Sequence, residues 1–244
     1  MNVTPMTPQD RLIFALDVPG RKEAERYVKA LDGLVGCFKI GLELFIREGS
    51  DVVKMIQDHS SAGIFLDLKL HDIPATVRGA LRSAEKLGVR YITIHSTEGE
   101  TILETAEEVK DSGLEVLAVT VLTSTSVSSL ASLGIRDGIN AAVLVLDRAV
   151  RAQNSGCAGV ICSGEEAKLV RQKCGEGFKI VVPGIRPQWS DVTDDDQSRI
   201  ATPAQAIQDG ADLIVVGRPI RDAKDPKEAA LKIIDEIQSI PDQG

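Results

Sequence analysis

Residues 65–76 read Phe-Leu-Asp-Leu-Lys-Leu-His-Asp-Ile-Pro-Ala-Thr and change from apolar to charged within a few positions. The apolar run that begins at residue 63 predicts a strand covered on both faces. Side chains two apart on a strand share a face, so Asp67 and Lys69 should point the same way. Pro74 suits the first turn of a following helix. Together with Asp72, three charged side chains therefore meet at the carboxyl end of a strand.

The pair Asp67 and Lys69 allows two interpretations. It can be an internal ion pair, or two side chains that turn to solvent where the strand ends, because structural ion pairs resemble sites in their charge pattern. Burying charge beside Leu66, Leu68 and Leu70 costs several kcal/mol per ion unless close partners offset it. A functional site is therefore the favoured interpretation.

The composition favours one large α/β domain that spans residues 1–244. Of the 244 residues, 43% are hydrophobic and 3% are aromatic, and the net charge is −8. An acidic chain without a basic stripe argues against a nucleic-acid partner or an acidic membrane surface, so we expect a small-molecule ligand. Residues 1–10 contain two prolines and no periodicity, which predicts a loose N-terminal arm.

The cysteines and histidines bear on compartment and metal binding. The four cysteines form no Cys-x-x-Cys pair, and the chain has neither a signal peptide nor an apolar run of 18 residues. These features predict reduced thiols in a cytoplasmic protein without membrane attachment. No histidine lies at a zinc spacing, and although strand-end carboxylates can hold Mg²⁺, Lys39 and Lys69 among them count against it. We expect no metal.

Apolar strands alternate with amphipathic helices along the chain. The predicted strands are residues 12–16, 37–40, 63–66, 91–95, 116–120, 159–162, 179–182 and 213–216. Helical spacing follows at about residues 21–31, 52–56, 77–87, 101–109, 138–153, 165–174, 203–209 and 226–237. Eight strand-then-helix units predict an α/β protein of the (β/α)₈ TIM-barrel class rather than an open doubly wound sheet. No Rossmann or P-loop glycine fingerprint occurs.

The carboxyl ends of the predicted strands are strongly polar, and in such barrels active residues lie at these ends. They carry Asp17, Lys39, Asp67, Lys69, His95, Thr123, Gly184, Arg186, Gly217 and Arg218. A lone histidine that ends an apolar strand is more often structural, so we leave His95 outside the catalytic set.

Two glycine–arginine motifs follow the seventh and eighth strands. Barrels commonly bind a phosphate there, through glycine backbone and an arginine fork. The motifs are Pro183-Gly184-Ile185-Arg186 and Gly217-Arg218-Pro219-Ile220. Simple turn glycines with solvated arginines are the alternative, but the presence of both motifs at predicted strand ends favours a phosphorylated substrate.

Taken together, the motifs closely resemble those of the orotidine 5′-phosphate decarboxylase family. The matching elements are Asp67-x-Lys69-x-x-Asp72-Ile73-Pro74-x-Thr76, Asp17, Lys39, Leu122-Thr123-Ser124, Pro183-Gly184-Ile185-Arg186-Pro187 and Gly217-Arg218-Pro219. They span nearly the whole chain. The resemblance implies a homodimeric barrel without cofactor or metal that converts orotidine 5′-phosphate to UMP and CO₂ in pyrimidine synthesis.

The resemblance also implies roles for individual residues. Lys69 should donate a proton to C6, Asp67 should face the departing carboxylate, and Lys39 should hold Asp67 and the ribose. Asp72 and Thr76 should reach the neighbouring subunit's site. The other matching substrate-binding residues are Asp17 at a ribose hydroxyl, Thr123 at the pyrimidine, Ile73, Pro183, and, at the phosphate, Arg186, Gln197, Gly217 and Arg218. Gln188 is a rival of Gln197 for the phosphate.

Two other functions stay open. A Mg²⁺-dependent sugar-phosphate decarboxylase or aldolase of the same superfamily resembles this chain in the Asp-x-Lys-x-x-Asp string but carries an acidic residue where this chain has Lys39. A non-catalytic nucleotide-phosphate binding protein on the same barrel would keep Gly217 and Arg218 but would not need Lys69.

Overall fold

Eight parallel strands close into a barrel in the computed structural model, which describes residues 6–123, 140–190 and 199–240. The strands are β1 (Leu12–Ala15), β2 (Cys37–Ile40), β3 (Gly63–Leu70), β4 (Tyr91–His95), β5 (Glu115–Val119), β6 (Gly159–Ile161), β7 (Lys179–Val182) and β8 (Leu213–Val216). Each strand pairs with the next, and β8 pairs back to β1 with Leu12 opposite Ile214. The predicted (β/α)₈ barrel is confirmed.

Helices follow the strands along the chain and lie on the outside of the barrel. They are α1 (Arg21–Leu31), α2 (Leu42–Glu48), α3 (Asp51–His59), α4 (Pro74–Lys86), α5 (Glu100–Leu103), α6 (Ala141–Asn154), α7 (Gly164–Cys174), α8 (Pro203–Gln208), α9 (Arg218–Arg221) and α10 (Pro226–Gln238), with a 3₁₀ helix at Glu104–Val109. The helical region after β2 divides at Gly49, whose φ of 61° ends α2. None of the described helices is long and apolar enough to cross a bilayer.

The buried side chains form two layers. Phe14 and Leu66 belong to the outer layer between strands and helices, whereas Phe65 and Tyr91 belong to the inner layer within the barrel. Neighbouring residues alternate between the layers because successive strand side chains point to opposite faces. Since Phe65 faces the interior, Asp67 two positions later also faces it.

The end of the N-terminal arm packs against the barrel. Asp10 accepts hydrogen bonds from the backbone N–H of Thr7 at 2.9 Å and from its hydroxyl at 2.7 Å. A Cβ on Gly36 would lie 2.6 Å from the Asp10 backbone, so glycine is required for this approach. The looseness predicted for the arm stays a prediction for residues 1–5, which lie outside the described residues.

Candidate active site

A cavity of about 590 Å³ opens at the carboxyl ends of the strands, and its size suits a small-molecule ligand. The predicted residues among its lining are Asp17, Lys39, Asp67, Lys69, Thr123, Pro183, Gly184, Arg186, Gly217 and Arg218. Residues from the ends of β1, β2, β3, β5, β7 and β8 thus meet around one space, as the barrel topology requires.

A row of alternating charges lies at the ends of β1, β2 and β3. Lys69 Nζ is 2.8 Å from Asp67 Oδ1, and Lys39 Nζ is 3.6 Å from Asp67 Oδ2. Lys39 Nζ also lies 3.1 Å from Asp17 Oδ1. The Thr93 hydroxyl donates a hydrogen bond to Asp67 Oδ1 at 3.0 Å. Each carboxylate therefore has a cation beside it, and Asp67 is held from three sides.

The backbone of β3 aims Lys69 into the cavity. The pairing of β3 with β4 shifts register between Leu66 and Leu70, and Lys69 within that bulge has a φ of 49°. Among the described residues, it is the one non-glycine residue with positive φ. The Lys69 N–H donates to the Thr93 hydroxyl at 2.8 Å, which holds this costly conformation. Such strain is typical of functional positions.

Burial and charge act in opposite directions on the central pair. Burial acts to lower the pKa of the Lys39 ammonium, but the carboxylates of Asp67 and Asp17 outweigh it and hold the pKa above its ordinary value. Burial acts to raise the pKa of Asp67, but Lys39 and Lys69 outweigh it and hold that pKa below its ordinary value. Both groups are consequently charged at neutral pH.

Asp67→Asn should destabilise the protein by about 3 kcal/mol at neutral pH, because it leaves the buried Lys39 ammonium poorly compensated. The lowered pKa of Asp67 gives stability that is fully present above its ordinary value of 3.8 and is lost as the pH falls through the lower folded value. The difference from the parent should therefore shrink in acid. Urea unfolding at neutral pH and near pH 3 measures it.

Asp147→Asn is the matched control, since Asp147 forms an exposed pair with Arg151 on α6. Its cost should stay below about 1 kcal/mol at both pH values. A deficit for Asp67→Asn that is equally large in acid would contradict the charge assignment.

The two glycine–arginine motifs lie on the opposite side of the barrel from β3. Gly184 has a φ of 74°, which turns the chain after β7, and the Arg186 N–H donates to the carbonyl of Ala201 at 2.8 Å. Gly217 immediately precedes α9, whose first residue is Arg218. Two arginines and a glycine backbone thus border the cavity on this side.

Three predicted residues lie outside the cavity of their own chain. Asp72, Ile73 and Thr76 lie at the start of α4 with exposed side chains, and none of them is among the cavity lining. Asp72 Oδ1 accepts a hydrogen bond from the Ile73 N–H at 2.7 Å. Gln197 lies outside the described residues, whereas Gln188 lies in an exposed turn.

His95 is not among the residues that line the cavity. Its ring lies 5.3 Å from that of His71, whose Nε2 is 3.0 Å from Glu98 Oε1. Burial, followed by the charges of His71 and Lys69, lowers the pKa of His95. Its place outside the catalytic set stays a prediction.

Sequence reasoning missed two polar residues of the site. Thr93 binds both Asp67 and the Lys69 backbone, yet in sequence it is an ordinary strand threonine. Its inward position follows from alternation with Tyr91, which could have drawn attention to it. Arg221 lines the cavity and donates to the Asp17 carbonyl at 3.0 Å. It lies on α9, which the apolar periodicity did not predict.

The closed barrel, the lysine–carboxylate row and the arginines on the opposite wall define a class of protein, the (β/α)₈ barrels that act on phosphorylated small molecules. Comparison with known proteins specifies the family. The chain belongs to the Orotidine 5'-phosphate decarboxylase / HUMPS family, whose model matches residues 10–233. The resemblance inferred from the motifs is confirmed.

Individual relatives cover nearly the whole chain. The orotidine 5'-phosphate decarboxylase of Desulfosudis oleivorans is 46% identical over 234 residues, which are 95% of this chain and 94% of the relative. That of Afipia carboxidovorans is 46% identical over 239 residues, 97% of this chain and 98% of the relative. The crystal structure of the Lactobacillus acidophilus orotidine 5'-phosphate decarboxylase matches with a TM-score of 0.80 at 36% identity, covering 93% of this chain and 99% of that one.

Proposed function

We propose that this chain is a carboxy-lyase that decarboxylates orotidine 5′-phosphate to UMP and CO₂ in pyrimidine synthesis. One observation carries the proposal: Lys69 Nζ lies 2.8 Å from Asp67 Oδ1 on one side of a cavity whose other side holds Arg186 and Arg218. Such a cavity suits a substrate with a reacting carboxylate at one end and a phosphate at the other. The relatives named above carry the same activity in their names.

In the proposed mechanism, Lys69 stabilises and then protonates the carbanion. The bond between C6 and the carboxylate carbon breaks, CO₂ leaves, and the electron pair stays on C6. A fixed ammonium beside C6 is most favourable when that negative charge develops. Lys69 then transfers a proton to C6 to give UMP, and its neutral amine takes a proton from solvent.

Asp67 has two roles in this proposal. It accepts the hydrogen bond from Lys69 and thereby fixes the ammonium, and its lowered pKa keeps it charged. Beside the substrate carboxylate, it opposes the ground-state charge and no longer does so once CO₂ leaves. Lys39 bridges Asp67 and Asp17, so it holds the ribose end and the reacting end in one arrangement.

The phosphate end supplies binding energy far from C6. Arg186, Arg218 and the backbone beside Gly217 bind the phosphate, and Pro183 shapes that wall. Thr123 contacts the pyrimidine. Binding energy from remote groups can orient the ring against Lys69 and so raise turnover.

We also propose a homodimer in which Asp72, Ile73 and Thr76 complete the partner's site. Their exposure outside their own cavity supports this. Ile73 is 66% exposed and Ile46 on α2 is 79% exposed. Large apolar side chains exposed after neighbouring strands are typical of an interaction surface.

A cytoplasmic location is part of the proposal, supported by four cysteines that are all free and buried.

Loss of the ultraviolet absorbance of orotidine 5′-phosphate should proceed at the same rate with and without EDTA. The reason is that Lys39 and Lys69 already supply the positive charge that a metal would otherwise supply in this cluster. The assay compares the initial rates of EDTA-treated and untreated protein.

Activity that chelation removes and Mg²⁺ restores would favour the sugar-phosphate enzyme instead. Saturable binding of orotidine 5′-phosphate without any turnover would favour the non-catalytic binding protein.

A further inference from the structure

A buried ion pair lies behind the wall of the cavity formed by the ends of β5, β6 and β7. Arg199 is 8% exposed and Glu166 is 3% exposed. Arg199 Nη1 donates a hydrogen bond to Glu166 Oε1, and Nη2 donates to the Leu122 carbonyl at 3.0 Å. Neither charged residue is among the cavity lining, but Leu122 and its neighbour Thr123 are.

Glu166 is itself fixed to the start of α7. Its second carboxylate oxygen accepts hydrogen bonds from the Ser163 hydroxyl and, at 3.2 Å, from the Ser163 N–H. The bond from the Ser163 N–H and the return bond from the Glu166 N–H to the Ser163 side chain form a capping box. Ser163 lies two positions after the end of β6. Arg199 therefore connects the Leu122 carbonyl, after β5, to the Glu166 carboxylate, which is held near the end of β6.

The segment that carries Arg199 also holds the phosphate side. The Arg186 N–H donates to the Ala201 carbonyl at 2.8 Å, and Ile185 pairs with Ala201. A Cβ on Gly164 would lie 2.5 Å from the Ala201 Cβ, so the glycine at the first residue of α7 allows Ala201 to pack closely against it. A shift of the Arg199 side chain would consequently move the backbone that supports Arg186.

The chemistry of the pair favours a geometric role. A buried ion pair is often no more stabilising than apolar side chains of the same volume, so stability alone does not account for it. A guanidinium directs two hydrogen bonds in a fixed fork, which a lysine ammonium does not reproduce. Arg199 uses this fork to hold Glu166 and the Leu122 carbonyl at once.

We propose that Arg199 is a positioning residue that couples the two ends of the nucleotide site. Through the Leu122 carbonyl it sets the pyrimidine side at Thr123, and through Ala201 it sets the phosphate side at Arg186. Phosphate binding is thereby linked to the placement of the ring. The inference rests on the proposed function and specifies how its two binding ends act together.

Arg199→Lys tests the proposal, with Arg171→Lys as the matched control. Arg171 also bridges backbone and carboxylate, because it donates to Asp212 Oδ2 at 2.6 Å and to the Gly210 carbonyl at 2.9 Å. It lies at the amino-terminal end of the barrel, away from the cavity. Both variants lose a guanidinium fork, so a purely structural role predicts the same behaviour for both.

The first measurement is backbone amide exchange in the ligand-free proteins. Arg199→Lys should speed exchange at the Arg186 N–H by about tenfold relative to the parent, whereas Arg171→Lys should leave it unchanged. The second measurement is the dissociation constant of uridine divided by that of UMP. This ratio reports how much the phosphate contributes to binding. Arg199→Lys should lower this ratio by about tenfold, and Arg171→Lys should not.

Should Arg199→Lys fail to fold, the double variant Arg199→Met with Glu166→Gln removes both buried charges together and should show the same two changes. A folded variant in which the Arg186 amide exchange and the uridine-to-UMP ratio both equal those of the parent would overturn the inference. If the parent itself binds neither compound, the proposed function fails, and the amide exchange still decides whether Arg199 positions Arg186.

Discussion

Lys69→Ala should lower kcat for orotidine 5′-phosphate by at least about 10⁴-fold while the protein folds and binds UMP within about tenfold of the parent. The substitution removes the proton donor and the counter-charge of the carbanion together. UMP carries no carboxylate at C6, so its affinity depends less on Lys69. Steady-state rates and calorimetric titration with UMP measure the two quantities.

Lys179→Ala is the matched control for this experiment. Lys179 also pairs with a carboxylate, with its Nζ 2.5 Å from Glu115 Oε2, but both residues lie at the amino-terminal ends of their strands. Its turnover should stay close to that of the parent. Turnover of Lys69→Ala within tenfold of the parent would remove Lys69 from the chemical step.

Mixing two inactive variants should restore activity if the site is shared between subunits. Lys69→Ala and Asp72→Asn homodimers should each be nearly inactive. A mixed dimer, however, has one site with both substitutions and one intact site. Random exchange of subunits leaves about a quarter of all sites intact, by the arithmetic of a two-fold interface. The measurement is the rate of a subunit-exchanged mixture relative to the parent.

The control for subunit exchange is native mass spectrometry of the same mixture, in which mixed dimers should make up about half of all dimers. A Lys69→Ala and Asp72→Asn mixture that stays inactive, when this control shows exchange, would mean that Asp72 serves the site of its own subunit.

The barrel and the charged row could be predicted because their signals are local. Side chains alternate between the two faces of a strand, so Asp67 points inward because Phe65, two positions before it, does. Asp67 and Lys69 lie close together because both follow the end of the same apolar run. The same alternation could not give the bulge at Lys69, because its φ of 49° is held by Thr93, which lies 24 positions away. Contacts between distant residues leave no periodic trace in the sequence.

The same limit applies to the residues behind the site. Arg199 and Glu166 are 33 positions apart and on different elements, and each looks like a solvated charge in its own stretch. The short helix α9 lacks the length that apolar periodicity needs. The family resemblance supplied Asp72, Ile73 and Thr76, whose place in the partner's site stays a prediction, as does the role of Gln197.

Product analysis in D₂O is the most direct test of the proposed decarboxylation. The purified parent is incubated with orotidine 5′-phosphate, and UMP, CO₂ and the deuterium content at C6 are measured together. We expect one CO₂ and one UMP for each substrate consumed, with deuterium at C6 from the exchangeable ammonium of Lys69. Substrate that is bound but recovered unchanged, without CO₂, would contradict it.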